Sequence, residues 1–362
     1  MTHLISSEYL ARAHSGCTSE LNLPFHGISF RLRSDNPRVL DNLRDYYSGL
    51  TSANSSDNCQ TVYLINSLPD TTGFSWTPVR RRKTSALGLK EAFMDTPEGR
   101  WIHKVRTGMV MFQSLTTPMV TGNLQANLPQ VVNFINNQFL NHHQRNGYLL
   151  GHAAALSTNG NTIAIAASSG GGKSTLMLRA LEAAGTRFLS NDRILFKPDG
   201  EQVSVLGVPK HPRVNPGTLI HSPRLASLLP EKERIRFAGL PRAELWDIEE
   251  KYDVLIPRFF GNDKTDLAGK LTHLVLLDWS LDSSEPTGLS AVDIQQAPEA
   301  IDGLRKSPGP FYQDCNGRFP PEQTRAANTY VRNLDGVQVW QLTGSVDFDL
   351  AIKQLSAQGL IG

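Results

Sequence analysis

Residues 161–175 read NTIAIAASSGGGKST, an apolar β-rich run that passes through three consecutive glycines into Lys173-Ser174-Thr175. A loop that grips a polyphosphate needs main-chain N–H groups converging on one anion, which calls for small residues and unusual dihedrals. A helix must start at that point, so that the positive end of its dipole faces the ligand. An ammonium group must reach the β- and γ-oxygens, and a hydroxyl must hold a magnesium ion. Here Gly170, Gly171 and Gly172 provide the backbone, Lys173 the cation and Ser174 the hydroxyl, with Ser169 and Thr175 completing the ring of contacts. The pattern predicts a strand over 163–166 before the loop and an amphipathic helix over 173–184 after it, stopped by Gly185. Ala167 stands where the motif G-x-x-x-x-G-K-[ST] has its first glycine, so the turn there requires a negative φ.

Upstream, 148–156 and 162–166 are β-rich runs joined through Asn159-Gly160, a hairpin signal. The strand entering the loop therefore pairs antiparallel with the one before it, whereas neighbours in ordinary P-loop sheets are mostly parallel. His152, in GHAAAL, is either a satisfied core histidine or a group facing the loop. Downstream, 187–189 forms a short strand that ends at Asn191-Asp192. A carboxylate there holds magnesium, directly or through water, or takes a proton from an attacking hydroxyl. The same pair also reads as a plain turn. Further strands are expected at 194–196, 203–206 and 271–277. Lys210, His211 and Arg213 cluster between prolines, either as a clamp on an anion or as an exposed basic turn. Glu249-Glu250-Lys251 reads as a solvated helix face.

The run from Leu150, LGHAAALSTNGNTIAIAASSGGGKSTLMLRALEAAGTRFLSND, resembles the C-terminal kinase domain of HPr kinase/phosphorylase, which shares its phosphate-binding architecture with the phosphoenolpyruvate carboxykinases. The stretch 210–218 (KHPRVNPGT), with Glu244-Leu245-Trp246 and Lys251-Tyr252-Asp253, is similar to the subgroup called HPr kinase-related kinase B. The resemblance implies an α/β fold: a P-loop kinase domain of HPr kinase / PEP carboxykinase type with a mixed sheet, preceded by a smaller α+β domain. It implies ATP and Mg2+ as cofactors, with Lys173 and Ser174 on phosphates and metal and His152 near the transferred group. Asp192 matches the second member of the family's acidic pair, serving as catalytic group and metal ligand. The first member, the base in true HPr kinases, is Asn191 here, and asparagine cannot accept that proton. The resemblance also implies a homo-oligomer, since HPr kinases assemble as hexamers.

The remaining sequence sets bounds. The 362 residues contain 36 Lys+Arg against 34 Asp+Glu, so no global field exists to hold nucleic acid or an anionic membrane. Arg80-Arg81-Arg82-Lys83 reads as a solvated loop. Cys17, Cys59 and Cys315 are odd in number and lack metal spacing, which fits reduced thiols and a cytoplasmic protein without membrane spans. Residues 1–145 read as an N-terminal α+β domain, with a strand over 25–33, a helix opened by Pro37 and capped by Asp35 or Asn36, a hairpin over 91–105 and a helix over 128–144. Residues 146–362 read as the P-loop kinase-like domain. Three functions follow: an ATP-dependent phosphotransferase acting on a hydroxyl of a protein serine or a small molecule, a nucleotide-binding regulator without transfer, and a P-loop NTPase.

Overall fold

The computed structural model describes residues 7–53, 56–79, 88–248, 250–321 and 324–362. The basic run Arg80–Lys83 and Glu249 lie outside them. The fold is mixed α/β, built on two large sheets, and the chain divides into two compact units. The first holds residues 1–146 and 308–323, the second 147–307 and 324–362.

The first unit opens with helix α1 (Ser7–Gly16) and contains strands β1 (Ser19–Phe25), β2 (Ile28–Ser34), β3 (Cys59–Ile65), β4 (Thr77–Pro78), β5 (Ala92–Thr96), β6 (Gly99–Lys104), β7 (Met109–Gln113) and β8 (Met119–Thr121). They form one sheet in the order β1-β2-β3-β8-β7-β6-β5-β4, with β2-β3 and β3-β8 parallel. Helices α2 (Pro37–Tyr47) and α3 (Leu128–Arg145) complete it. The expected single strand over 25–33 is instead the second arm of a hairpin. Gly27 has φ 75°, a turn conformation, and β1 and β2 pair on either side of it. The expected cap on α2 is also absent. The Asp35 carboxylate accepts the Asn66 N–H at 2.9 Å, and Asn36 makes no side-chain cap bond. Val131, Phe134 and Ile135 are buried on one side of α3, but Leu140, expected on the same face, lies opposite Val131 and is buried as well, with Val132, Asn136 and His143, so the helix is buried round most of its circumference. The 308–323 segment is tied down through main-chain carbonyls: Asn141 Nδ2 donates to Phe311 O at 2.6 Å and Arg100 to Pro310 O at 3.1 Å.

The second unit carries strands β9 (Leu149–Gly151), β10 (Ala153–Thr158), β11 (Asn161–Ala166), β12 (Thr186–Ser190), β13 (Ile194–Asp199), β14 (Gln202–Gly207), β15 (Arg213–Val214), β16 (Tyr252–Asp253), β17 (Ala268–Leu277), β18 (Gly288–Ala291) and β19 (Gln338–Thr343). Its helices are α4 (Lys173–Ala180), α5 (Pro216–Ile220), α6 (Glu231–Ala238), α7 (Arg242–Asp247), α8 (Ile256–Phe259), α9 (Ala327–Asn333) and α10 (Phe348–Ala357). β15 and β16 pair only with each other; the rest form a nine-stranded mixed sheet. β10 and β11 are antiparallel across Asn159-Gly160, as the hairpin signal requires. β17 is the spine. Its first half runs antiparallel to β14, and its second half lies parallel between β11 and β19. The carboxyl ends of β11, β17 and β19 therefore share one edge, where open α/β sheets bind ligands. β10 is buried along its whole length, and so is β11 after Asn161. Ala153, Ala155, Ala164 and Ala166 share one face of this hairpin and pack in a core with Ile301, Leu304, Tyr330 and Val331.

α4 buries Lys173, Leu176, Met177 and Ala180, an i, i+3, i+4, i+7 face. It stops at Ala180 rather than at the expected residue 184. Thr186 Oγ1 donates to the Ala183 carbonyl at 2.7 Å, with those of Ala180 and Leu181 also within reach, and the Lys264 ammonium donates to those of Leu181 and Ala183, so the last turn is capped early.

Gly207 fixes where Asn191-Asp192 fall. A Cβ at 207 would stand 1.8 Å from the Leu189 carbonyl oxygen, so the end of β12 passes directly over the end of β14. Gly207→Ala is expected to cost about 3 kcal/mol, the upper range of overpacking penalties, because a backbone atom blocks the methyl. In a thermal melt this amounts to a Tm loss of roughly 6–12 °C. An unchanged Tm would refute this reading of the crossing. Among the described residues no helix is long and apolar enough to cross a membrane.

Candidate functional site

The loop leaves β11 at Ala166 and enters α4 at Lys173. Gly170 and Gly172 take φ of 84° and 91°, values a residue with a Cβ resists. Ala167 keeps a negative φ, as its substitution for glycine demands; Asn159 and Asp192 are the non-glycine residues with positive φ among those described. The extra methyl is accommodated by Gly171, and Gly303 lets the chain pass close to the Ala167 backbone. A Cβ on Gly171 would meet the Ala167 Cβ at 2.8 Å, and one on Gly303 would meet Ala167 backbone at 3.0 Å.

The Lys173 side chain is buried, and its ammonium donates to the Ala167 and Ser168 carbonyls at 2.9 and 3.0 Å. Burial lowers its pKa to about 8; Asp192 raises it, and Lys306 and Lys251 lower it further. The Ser174 hydroxyl donates to Asn191 Oδ1 at 2.7 Å. Thr175 shares a 2.7 Å hydrogen bond with Thr218.

Asp192 follows in the left-handed region, at φ 72°. Its Oδ1 lies 3.4 Å from His152 Nε2 and its Oδ2 lies 3.5 Å from Arg193 Nε. Partial desolvation by the surrounding residues pushes its pKa up, but the His152 hydrogen bond, Arg193 and Lys306 together bring it below the ordinary carboxylate range. The side chain is 58% exposed, so solvent screens much of that attraction and the carboxylate stands open to a ligand. His152 is brought to Asp192 at the break between β9 and β10, where its N–H donates to Leu304 O at 2.7 Å.

Lys210 is lowered to about 8 by burial and by Arg193, with Arg213 acting the same way and Asp192 and Asp253 opposing. Lys173, Arg193, Lys210, Arg213, Lys251 and Lys306 thus lie within electrostatic reach of one another or of Asp192 and Asp253. Of the basic turn, Arg213 is paired with Asp253 at 3.1 Å. His211 is buried, with Nδ1 accepting the Ile256 N–H at 3.4 Å, so it holds the turn rather than standing exposed.

Several residues of the site carry no motif. Trp279 Nε1 donates to Gly171 O at 3.0 Å, and the Phe348 ring packs edge-on against Trp279 at 5.1 Å. Trp279 lies just past the carboxyl end of β17, a parallel neighbour of β11, and that register was the available signal. Arg193 and Lys306 had none, and Lys251 reads from sequence as part of a solvated face.

No protein-family profile matches the chain, and no curated protein matches it. Among solved structures it is similar to the Hpr(Ser) kinase/phosphatase from Coxiella burnetii, with 13% identity over 58% of this chain and 90% of that one and a TM-score of 0.30. At that identity and score the match assigns neither family nor activity.

Proposed function

We propose that the chain is an ATP-dependent phosphotransferase related to the HPr kinases, transferring a γ-phosphoryl group to a hydroxyl of a protein serine or a small molecule. The observation that carries this reading is the convergence of the glycine loop, the buried Lys173 ammonium and the Asp192–His152 pair on one edge of a sheet. On this reading the amides of residues 169–175 hold the phosphates, and Lys173 swings from its two carbonyls to the β- and γ-oxygens. Lys210, Lys306 and Arg193 neutralise the remaining charge, with Arg213 in support.

The donor set suits magnesium. Ser174 Oγ and the Asp192 carboxylate are hard oxygens beside the loop, and Asn191 already orients the Ser174 hydroxyl at 2.7 Å. Ser174 and Asp192 would hold a magnesium ion, which would supply charge neutralisation at the phosphates. Asp192 orients the acceptor hydroxyl and takes its proton, and His152 holds the carboxylate in place and stabilises its charge. Neither the amides nor Asp192 distinguishes a protein serine from a small alcohol.

A second reading, nucleotide binding without transfer, is favoured by Asn191, whose side chain is committed to Ser174 and is no base. Incubation of the full chain with γ-labelled ATP, Mg2+ and a lysate of the source organism separates the two. The account expects label on an acceptor, dependent on Mg2+. Intact, bound ATP with no labelled product supports the second reading, and steady phosphate release to water alone points to an NTPase.

A further inference from the structure

Three consecutive glycines give the loop more freedom than its task needs. A Gly–Gly peptide can present either its N–H or its carbonyl to a given side at little cost, and only the N–H attracts an anion. The Gly171–Gly172 peptide leads into α4, with Gly172 at φ 91° as the residue before the helix. The groups around it are engaged within the loop and the helix. Gly171 N–H closes a turn onto Ser168 O at 3.1 Å, and Gly172 O accepts the Leu176 N–H at 3.0 Å. The Gly171 carbonyl between them is bonded from outside the loop, by Trp279 Nε1 at 3.0 Å.

Trp279 is a fixed post. The main chain on either side of it is laced to the end of β19 and the residue after it: Asp278 N–H donates to Leu342 O at 2.8 Å and Ser280 N–H to Gly344 O at 2.9 Å. Phe348 packs edge-on against the indole, with ring centroids 5.1 Å apart. Both rings also lie against Gly172, where an added Cβ would stand 3.1 Å from Phe348 and 3.4 Å from Trp279. In a planar trans peptide the carbonyl and the following N–H point opposite ways. A Gly171 carbonyl drawn to the indole therefore turns the Gly172 N–H to the side of the loop away from Trp279.

We infer that Trp279 is a positioning residue for the phosphate loop: its indole N–H holds the Gly171 carbonyl outward and so keeps the Gly172 N–H directed at the anion. The inference rests on the proposed phosphate loop and deepens it. Without the indole donor the peptide is free to flip. Only the fraction with its N–H inward then binds, and apparent affinity falls by that fraction. The loss is common to every ligand gripped by the loop, whatever is attached to its phosphates.

Calorimetric titrations of the full chain with Mg·ADP and with magnesium tripolyphosphate test it, with a thermal melt of each variant. Trp279→Phe removes the donor and keeps an aromatic ring beside Phe348. Replacement of Trp279 by 3-benzothienylalanine, which exchanges the N–H for sulfur in a ring of the same size, removes the donor and keeps the packing. Both changes are expected to weaken the two ligands by the same factor, about three- to tenfold, the worth of one hydrogen bond. The benzothienyl variant is expected to melt like the parent. A merely structural tryptophan would give the reverse pattern, a lower Tm in Trp279→Phe and parental affinities in the benzothienyl protein, and that result would overturn the positioning role. Lys173→Ala, measured alongside, separates the two assignments. If it loses both ligands while the benzothienyl variant binds like the parent, the loop assignment stands and the role of Trp279 fails. If it binds both ligands normally, the loop assignment fails and the role of Trp279 falls with it.

Discussion

Lys173→Ala is expected to lower nucleotide affinity at least a hundredfold, about 3 kcal/mol, because it removes the charge-assisted hydrogen bonds to the β- and γ-oxygens. The fold survives the change in this account, since Lys173 contributes packing on α4 but its two acceptors are loop carbonyls at the edge of the site. A pH signature accompanies the parent protein. Lys173 in the folded chain titrates at about 8 against an ordinary 10.5. Between those values the unfolded chain holds the proton and the folded chain does not, so this lysine makes stability rise with pH across that window. Below about 8 it is charged in both states and the cost of its burial is carried in full. A polyphosphate restores the charge, so binding at about pH 9 takes up a proton at Lys173. Titration of ADP in two buffers of different ionisation enthalpy reads that uptake directly. Equal apparent enthalpies at that pH would remove Lys173 from the phosphate site.

Asp192→Asn is the second large effect. It leaves shape and hydrogen-bonding capacity in place but removes the proton acceptor and the negative ligand, so phosphoryl transfer is expected to fall between about 10² and 10⁴-fold. Nucleotide binding persists, because the loop amides and Lys173 are untouched. Stability moves little at neutral pH, since the side chain is more than half exposed. Single-turnover transfer with γ-labelled ATP, beside an affinity measurement, checks both halves. Undiminished transfer would assign the base elsewhere and reduce the Asp192–His152 pair to a structural turn.

The parts of this architecture that were readable in the sequence are those governed by local rules. Gly170-Gly171-Gly172 before Lys173 fixes a strand-to-helix turn because few other residues reach those dihedrals, and Asn159-Gly160 fixes the antiparallel hairpin for the same reason. The buried face of α4 formed by Lys173, Leu176, Met177 and Ala180 follows from 3.6-residue spacing, whereas α3 is buried round most of its circumference. What was not readable depends on partners far away in the chain. The early stop of α4 comes from Thr186 and Lys264, which compete for its carbonyls. The Gly27 turn looks like part of an alternating strand until its φ is known. At the site, Lys306, Arg193 and Trp279 have no motif around them and arrive by topology, and the pairing of Ser174 with Asn191 rather than with a carboxylate is a matter of side-chain geometry.

A crystal structure of the full chain with Mg·ADP tests the central claim most directly. The account places the β-phosphate within about 3 Å of main-chain nitrogens between Ser169 and Ser174, with the Lys173 ammonium moved from the Ala167 and Ser168 carbonyls onto phosphate oxygen. A structure with the phosphates bound elsewhere, and Lys173 still on those two carbonyls, would contradict it.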